Sequence, residues 1–389
     1  MPIVNRISAY QDDMKDWRHD IHKHPELAYE ERRTAGQVVK LLKSFGIKEI
    51  VEGIGGTGVV AVIKNGDGPR IALRADMDAL PISEETGTDY SSVHPGVMHA
   101  CGHDGHTVML LGAAKYLAET KNFRGTIVLV FQPAEEGFAG AKAMMQDGLF
   151  ERFPVDAVYG LHNWPGAPSG EILVSPGPIM AAADTFSVTV TGQGGHGAMP
   201  HKAVDPIIAS SLMISGLQSL VSRSADPKET LVISVTKING GDAFNVIPDS
   251  VVFGGTVRYF DTDLGASNKK RMDQMLGGIA SAHNVKAEFS YDEVYPPTVN
   301  HEKEADFARE IAIKVTGQES VEAQHSMGSE DFSFYLQELP GAYAWIGNGL
   351  IGESAHLHNP HYNFNDDILP VGASFFVRLA EAALPHAEN

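Results

Sequence analysis

The sequence predicts an α/β protein in which a mostly parallel mixed sheet forms the main domain and a ferredoxin-like βαββαβ domain is inserted into it. Helical runs alternate with wholly apolar runs between residues 108 and 161, which is typical of strands buried on both faces. Residues 184–296 contain strands and helices in the order βαββαβ. After residue 297 the chain returns to helix, strand and helix, which suits completion of the first sheet. We therefore assign residues 1–183 and 297–389 to the main domain.

The amino-terminal part should contain two helices and two strands. Apolar residues over 7–21 recur at spacings of three and four, as in an amphipathic helix. A second helix has its apolar face over residues 38–45, with Gly46 as its C-terminal cap. Two β-rich runs follow at 58–64 and 70–74, and the Asn-Gly-Asp-Gly-Pro sequence between them predicts a hairpin turn.

The remaining elements follow from hydrophobic periodicity. In the rest of the first domain we expect helices at 108–117 and 141–150 and strands at 126–131 and 157–161. In the inserted domain we expect strands at 186–191, 230–236, 250–259 and 286–291, and helices at 206–221 and 266–282. In the last segment we expect a helix at 302–316, a strand at 342–346 and a helix at 369–384.

Composition excludes several classes of protein. The formal net charge of −19 and the lack of a basic stripe argue against nucleic acid. The sequence has no apolar run of the length of a membrane span and no signal-peptide pattern at its start. A single cysteine excludes an intramolecular disulfide, so we expect a cytoplasmic protein.

Residues 98–107 contain three histidines, a cysteine and an aspartate, the densest group of metal-binding side chains in the chain. Cys101 and His103 lie two residues apart, so one turn can offer a thiolate and an imidazole to the same ion. Gly102 and Gly105 permit the tight backbone that such a turn needs. Two other interpretations of Cys101 are a small buried apolar residue and a free thiol of low pKa that acts as a nucleophile.

More polar residues fall where the predicted strands end. Asp76 and Asp78 follow one strand, Glu135 and Glu136 follow another, and His162 ends a third. Open α/β sheets bind ligands at the carboxyl ends of their strands, so these five side chains should meet. Each residue alone could equally be a loop carboxylate or a capping residue.

Seven short stretches, in chain order, resemble those of a known enzyme family: RADMDALP (74–81), HACGHDGH (99–106), QPAEEG (132–137), GLHNWP (160–165), GGHGAMPH (194–201), FNVIP (244–248) and HLHNP (356–360). They are similar to the aminoacylase/carboxypeptidase family of dinuclear metallo-amidohydrolases, and most to the branch with hippurate hydrolase and the plant auxin-conjugate hydrolases. The likeness covers nearly the whole chain. It implies a catalytic domain around the main sheet and an inserted lid and dimerisation domain.

The resemblance also implies a site with two divalent metals, with Glu135 as general base and acid. Asp78 would orient a ligand, and which residue bridges the metals stays open. His361 and His99 are alternatives to His358 and His103. Thiolate and imidazole ligands suit zinc, while carboxylate ligands also allow manganese or cobalt. The implied metal ligands are Cys101, His103, Glu136, His162 and His358.

In the inserted domain, the resemblance implies that His196, Asn245 and Arg258 complete the site in a homodimer or a higher homo-oligomer. Without it, His196 could be an exposed loop histidine and Arg258 a surface charge. A guanidinium can bind a substrate carboxylate with two parallel hydrogen bonds. His201 and residues 329–331 (Ser-Glu-Asp) are further candidates for substrate contact.

The predicted reaction is metal-dependent hydrolysis of the amide bond of an N-acyl amino acid, which releases a carboxylic acid and a free amino acid. Paired metals lower the pKa of a bridging water and polarise the carbonyl, while Glu135 moves the proton from the water to the leaving nitrogen. Two alternatives remain. The same dinuclear site could serve a metallo-carboxypeptidase, dipeptidase or endopeptidase, and a non-catalytic protein could hold a structural zinc, which would leave no open coordination position.

Overall fold

The computed structural model describes residues 4–318, 322–352 and 355–386. The strands of these residues are β1 (Glu49–Ile54), β2 (Gly58–Asn65), β3 (Arg70–Asp76), β4 (Gly125–Gln132), β5 (Ala157–Pro165), β6 (Ile172–Leu173), β7 (Gly177–Met180), β8 (Ala183–Thr191), β9 (Gly195–His196), β10 (Leu231–Asn239), β11 (Val246–Ile247), β12 (Ser250–Tyr259), β13 (Lys286–Tyr295), β14 (Thr298–Asn300) and β15 (Gly341–Gly349).

The helices of the same residues are α1 (Asn5–Ser8), α2 (Gln11–Lys23), α3 (Arg32–Ser44), α4 (His103–Thr120), α5 (Glu135–Phe138), α6 (Gly140–Gln146), α7 (Leu149–Arg152), α8 (Pro206–Ser219), α9 (Thr262–Ala282), α10 (Glu302–Thr316), α11 (Ser333–Glu338) and α12 (Leu369–Ala383). No helix in this part of the chain is long and apolar enough to cross a lipid bilayer.

The chain divides into two compact units. Unit 1 contains Met1–Gly177, Val299–Gln324 and Asp331–Asn389, and unit 2 contains Pro178–Thr298 and His325–Glu330. The segment 184–296, which we assigned to an inserted domain, falls within unit 2. The assignment of the catalytic and the lid and dimerisation roles to these units stays a prediction.

Unit 1 is built on a sheet with the strand order β1-β2-β4-β3-β5-β15-β6. Its central strands β4, β3, β5 and β15 are parallel to one another, whereas β2 is antiparallel to β1 and β4, and β6 is antiparallel to β15. This arrangement confirms the predicted mostly parallel mixed sheet. The residues of β3, β4 and β5 are almost all buried, and α4 and α12 pack together against this core.

The predicted hairpin between the strands now named β2 and β3 is wrong. These strands are not neighbours, because β4 lies between them and pairs antiparallel with β2 and parallel with β3. The N–H of Thr126, in β4, donates to the carbonyl of Pro69 at 3.0 Å, so β4 enters the sheet at the supposed turn. The edge strand β1 was not predicted.

Three helical predictions also needed correction. The predicted helix over 7–21 is divided into α1 and α2, and the predicted helix over 141–150 is divided into α6 and α7. Gly148 separates α6 from α7 with a φ of +81°, a conformation that a helix cannot contain. The helix expected from residue 108 begins earlier, at His103.

Unit 2 contains a four-stranded sheet of order β10-β12-β8-β13 in which all neighbours are antiparallel. With α8 after β8 and α9 after β12, the element order is βαββαβ, and the strand order is that of a ferredoxin-like fold. The helices start where the sequence caps them: the Asp205 carboxylate accepts the N–H of Ile207 at 2.8 Å, and that of Asp261 accepts the N–H of Leu264 at 2.7 Å. Both helices pack on this sheet.

Candidate metal centre

The register of the parallel strands brings the predicted polar residues to one edge of the unit 1 sheet. Asp76, the last residue of β3, is paired with Gln132, the last residue of β4. Glu135 therefore lies only three residues beyond that edge, and His162 comes from the neighbouring strand β5. The carboxyl ends of these strands form the site expected for an open α/β sheet.

A tight turn at Gly102 delivers Cys101 and His103 to this edge. Gly102 has a φ of +89°, and a Cβ atom there would lie 2.4 Å from Asn163 Nδ2 and 2.5 Å from the hydroxyl of Tyr362. The Asn163 amide donates to the carbonyl of Cys101 at 2.6 Å, and the Tyr362 hydroxyl donates to Asn163 Oδ1 at 2.7 Å. Only glycine fits this position, and α4 begins at the next residue.

The predicted metal ligands form two groups that share one residue. Cys101 lies with His103 and His162 in one group and with Glu136 and His358 in the other, and within each group the ligand atoms lie within 4.8 Å of one another. All five predicted ligands are therefore brought together, and Cys101 is common to these two groups. Their role as ligands stays a prediction.

Hydrogen bonds set the tautomers of His103 and His162. His103 Nδ1 lies 3.1 Å from Asp78 Oδ1, and His162 Nδ1 lies 2.6 Å from the carbonyl oxygen of Asn163, so both rings donate through Nδ1. In its neutral form each ring then directs the lone pair of Nε2 into the site, which is the form in which histidine binds a metal. The buried His103 Nε2 has no hydrogen-bond partner among the described residues, which fits a metal ligand.

The electrostatics of the site favour bound cations. Burial raises the pKa of the Cys101 thiol well above its usual value, and the carboxylates of Glu136 and Glu135 raise it further. Burial opposes protonation of His103, but the carboxylates of Asp76, Asp78 and Glu136 together outweigh it and raise the pKa of His103 to about 10. A buried group of acidic side chains is costly without compensation, and divalent cations would hold the thiolate form and offset the carboxylates.

Glu135 and Glu136 differ in burial and in their contacts, since Glu135 is buried and Glu136 is partly exposed. The backbone N–H of Glu136 donates to Asp78 Oδ2 at 2.9 Å. The Asp78 carboxylate therefore contacts both the His103 ring and the backbone of Glu136. The buried Glu135 carboxylate lies in a group with His103 and Glu136, and it accepts the Asp331 N–H at 3.4 Å. The arrangement places the carboxylate that is predicted to carry the proton beside the ligand groups.

His358 comes from the last segment of the chain. Its Nε2 lies 3.1 Å from Glu136 Oε1, and its N–H donates to the carbonyl of Ala100 at 2.8 Å, which fixes this loop beside the cysteine turn. The alternative His361 is exposed and lies beside Glu85, and His99 lies near His22. Among the described residues, neither alternative belongs to a ligand group.

Comparison with known proteins decides the family. The profile described as Peptidase family M20/M25/M40 matches residues 72–382. This chain belongs to that family. The M20 chain is 44% identical over 383 residues to the hippurate hydrolase of Campylobacter jejuni, an alignment that covers 98% of this chain and 99% of the relative. It is 43% identical over 384 residues to IAA-amino acid hydrolase ILR1-like 4 of Arabidopsis thaliana, covering 96% and 87%.

A solved structure agrees with these sequence relatives. The Bacillus subtilis YXEP protein, described as a dinuclear metal-binding peptidase of the M20 family, superposes with a TM-score of 0.86 at 35% identity and covers 97% of this chain and 99% of the other. The resemblance to this family and to its hippurate and auxin-conjugate branch, predicted from the sequence motifs, is confirmed.

Sequence reasoning missed the buried groups that support the M20 site. Arg74 donates to Asp76 at 2.7 Å, to Gln132 at 2.8 Å and to Asp331 at 3.0 Å. Asp331, which we had expected to contact substrate, is buried in this network and also accepts the N–H of Ala141 at 2.8 Å. The one available signal was an arginine within the apolar strand β3, since a buried charge there requires partners.

Both ring nitrogens of His106, which also lies in the histidine-rich segment 98–107, are occupied by hydrogen bonds and are not free to bind a metal. Its Nδ1 lies 2.6 Å from Asp76 Oδ1, and its Nε2 accepts the N–H of Asn163 at 2.9 Å. His106 therefore joins the ends of β3 and β5 by hydrogen bonds. Its position three residues after His103 places both rings on the same face of α4.

The remaining candidates of the M20 chain lie in unit 2. His196, in β9, is paired with Val246, and the N–H of Gly197 donates to the carbonyl of Asn245 at 2.8 Å, so His196 and Asn245 are neighbours. His196 and His201 are exposed, whereas Arg258, in β12, is half-buried and donates to the carbonyl of Val257 at 3.0 Å. The roles of these residues in substrate binding stay predictions.

Proposed function

We propose that this M20 chain hydrolyses the amide bond of N-acyl amino acids and releases a carboxylic acid and a free amino acid. The observation that carries the proposal is the sharing of Cys101 between two ligand groups beside the buried carboxylate of Glu135. A structural zinc would need one closed group of four ligands and no neighbouring proton carrier. The similarity to a hippurate hydrolase and an IAA-amino acid hydrolase supports this substrate class.

The site would hold two divalent metals through the five predicted ligands. Zinc is favoured, because the donor set contains a thiolate and imidazoles, and manganese and cobalt are the alternatives that its carboxylate allows. When bound, such a pair lowers the pKa of a water and polarises the amide carbonyl. Asp78 would hold His103 in the tautomer that ligation needs, because it accepts the Nδ1–H of that ring.

Glu135 would carry the proton. Because Glu136 contacts His358 whereas Glu135 contacts the Asp331 N–H, Glu136 can ligate a metal while Glu135 takes a proton from the attacking water and passes it to the amide nitrogen. An amide nitrogen is a poor leaving group until it is protonated, so the same carboxylate serves as base and then as acid. The burial of Glu135 supports this role, since it excludes bulk water from the proton path.

The residues of unit 2 would bind the substrate. Arg258 is half-buried and suited to the free carboxylate of the amino-acid product, with Asn245 and His201 as further polar contacts. His196 would donate a hydrogen bond to the oxyanion that develops on the attacked carbonyl. We propose a cytoplasmic homodimer formed through unit 2, supported by the exposed apolar residues Ile207, Ile208 and Leu212 on α8.

The test combines metal content with a substrate panel. We expect elemental analysis to find two metal ions per chain, chelation to abolish hydrolysis, and readdition of zinc, manganese or cobalt to restore it. The panel contains benzoylglycine, N-acetyl and indoleacetyl amino acids, dipeptides, and the same compounds with blocked carboxylates. Full activity in a verified metal-free preparation would refute the proposal, and a preference for dipeptides would assign the site to a dipeptidase.

Cys101→Ser provides the matched variant for the metal test. A hydroxyl is a far poorer ligand than a thiolate for these metals, so the variant should lose metal without losing its fold. If the metal stoichiometry and the rate are both unchanged, Cys101 is not a metal ligand and is instead a small buried apolar residue. Circular dichroism of the metal-free wild-type and variant proteins controls for misfolding.

A further inference from the structure

The turn that presents Glu135 and Glu136 has an unfavourable backbone. Ala134 and Ala139 flank it with φ of +54° each, in the left-handed region that residues with a Cβ atom rarely occupy. Glu136 and Gly137, within the turn, also depart from helical geometry. Such a segment keeps its shape only where its surroundings hold it.

Three carboxylates hold this turn by accepting its backbone N–H groups. Glu31 accepts the N–H of Ala134 at 2.9 Å, Asp78 accepts that of Glu136 at 2.9 Å, and Asp331 accepts that of Ala141 at 2.8 Å. The contacts fall at the start, in the middle and just after the end of the turn. Glu31 binds the backbone of Ala134, the residue directly before Glu135. It therefore constrains the path of the backbone between the end of β4 and Glu135.

The Glu31 side chain is itself firmly held. It is fully buried, its Oε1 also accepts the N–H of Tyr29 at 3.0 Å, and its Oε2 accepts a short hydrogen bond from the hydroxyl of Thr57. Burial raises the pKa of Glu31, and the Thr57 hydrogen bond opposes that rise. The hydroxyl of Tyr29 donates to the carbonyl of Phe138 at 2.9 Å, so the segment 29–31 contacts both ends of the turn.

We propose that Glu31 is a positioning residue, which acts through the N–H of Ala134 to hold Glu135 and Glu136 in their working geometry. The expected effect on kcat rests on the proposed hydrolysis, whereas the effect on the backbone of the turn does not. A carboxylate is suited to this task because one oxygen can accept two backbone N–H groups while the other accepts a hydroxyl. Glu31 lies more than a hundred positions before the turn in the sequence, and no sequence motif pointed to it.

The decisive variants are Glu31→Ala and Glu31→Gln, measured at saturating metal with benzoylglycine. Glu31→Ala should lower kcat roughly 10- to 100-fold with KM changed less than about threefold, because a small displacement of a catalytic group has a cost of this size. Glu31→Gln should stay within about threefold of wild type, since its carbonyl can accept both N–H groups and its amide can donate to Thr57.

A second readout does not depend on activity. In metal-free protein, Glu31→Ala should accelerate amide hydrogen exchange in residues 132–141, and Glu31→Gln should not. Glu26→Ala is the matched control, because the Glu26 carboxylate accepts backbone N–H groups of Arg33 and Thr34 at 2.9 and 2.8 Å at the start of α3 but does not hold the turn. It should leave kcat and the exchange of residues 132–141 unchanged.

Several outcomes would overturn the inference: wild-type kcat and exchange in Glu31→Ala, equal losses in Glu31→Ala and Glu31→Gln, or equal effects from Glu26→Ala. If Glu31→Ala does not fold, Glu31→Asp replaces it. Its carboxylate is withdrawn by one methylene, so it should lower kcat and accelerate exchange, and wild-type behaviour would refute the inference. A wild-type protein that hydrolyses no N-acyl amino acid would refute the proposed function instead, while the exchange experiment would still test Glu31.

Discussion

Asp78 accepts the Nδ1–H of His103 at 3.1 Å, so a carboxylate outside the predicted ligand set determines which nitrogen of a predicted ligand faces the metal site. The second oxygen of Asp78 accepts the N–H of Glu136 at 2.9 Å. One side chain thus orients residues from both ligand groups. Removal of its charge should therefore affect both metals.

Asp78→Asn should weaken metal binding by roughly 10- to 100-fold, because asparagine keeps one acceptor oxygen for these two hydrogen bonds and its NH2 group would face the other donor. Competition with a chelator of known affinity measures the change. Asp13→Asn is the control, since Asp13 is exposed and pairs only with Lys115 at 3.2 Å among the contacts described. Wild-type affinity in Asp78→Asn would show that the orientation of His103 does not depend on this carboxylate.

Glu135→Gln and Glu136→Gln should give opposite phenotypes. Glu135→Gln keeps the shape of the side chain but removes the proton carrier, so turnover should fall by roughly 10² to 10⁴ while both metals stay bound. Glu136→Gln should lose metal, because an amide is a weaker ligand than a carboxylate. Parallel elemental analysis and kinetics separate the two effects. Exchanged phenotypes would reverse the assigned roles within the same site.

His22 should make the stability of the metal-free protein depend on pH. It is buried with Nδ1 2.8 Å from Asp104 Oδ2 and Nε2 3.2 Å from Glu84 Oε1. Burial and the nearby Arg18 oppose its protonation, but the two carboxylates outweigh them and raise its pKa to about 9. The charged form therefore stabilises the folded state, fully below pH ~6.5 and progressively less as the pH rises to ~9.

Urea unfolding between pH 6 and 9.5 measures this effect. In the wild-type protein, His22 should make the free energy of unfolding fall with rising pH by up to about 1.4 kcal/mol per pH unit within that window. His22→Gln should lack this contribution. His24→Gln, at a partly exposed histidine of the same segment, should keep the slope. The assignment to His22 fails if both variants retain the wild-type dependence on pH.

Mixed dimers test the proposed role of His196. His196→Ala and Glu135→Ala should each be nearly inactive, since loss of an oxyanion donor costs about 3 to 4 kcal/mol. If His196 serves the site of the partner subunit, unfolding and refolding the two variants together should restore about one quarter of the wild-type rate, because half of randomly paired dimers are mixed and each contains one intact site. Each variant refolded alone is the control.

No recovery in that experiment, with mixed dimers shown to form, would mean that His196 acts within its own chain or has no catalytic role. A single molecular mass equal to one chain would refute the dimer itself. Sedimentation of the wild-type protein at the assay concentration distinguishes these two results.

The parts of the site formed by residues close together in the sequence could be predicted, and the parts formed by distant residues could not. Cys101 and His103 lie in one turn, and the carboxylates follow apolar strands, so spacing and periodicity sufficed to bring these residues together. Arg74 and Asp331 are 257 positions apart in the sequence, and no local pattern reports their ion pair. The burial of Asp331 in this network depends on tertiary packing and could not be predicted from the sequence, and its contact with substrate stays a prediction.

The errors in the fold have the same origin. The Asn-Gly-Asp-Gly-Pro segment has the composition of a hairpin turn, but β4 pairs with both flanking strands and separates them. The strand β1 has polar residues in an edge position, which weakens the alternation on which strand prediction depends. The helix α4 begins at His103 because Gly102 permits the turn, although the apolar pattern starts only at residue 108.

The place of β15 in the unit 1 sheet has a consequence for synthesis on the ribosome. This strand lies between β5 and β6, yet residues 341–349 are translated long after both of its neighbours and after the whole of unit 2. Domains usually fold as they emerge, amino terminus first. Here the nascent chain carries an open edge on β5 until the last eighth of the protein is made, and His358 reaches Cys101 later still. Over that interval, neither the edge of β5 nor the single thiol has the cover that the last segment gives it in the folded protein.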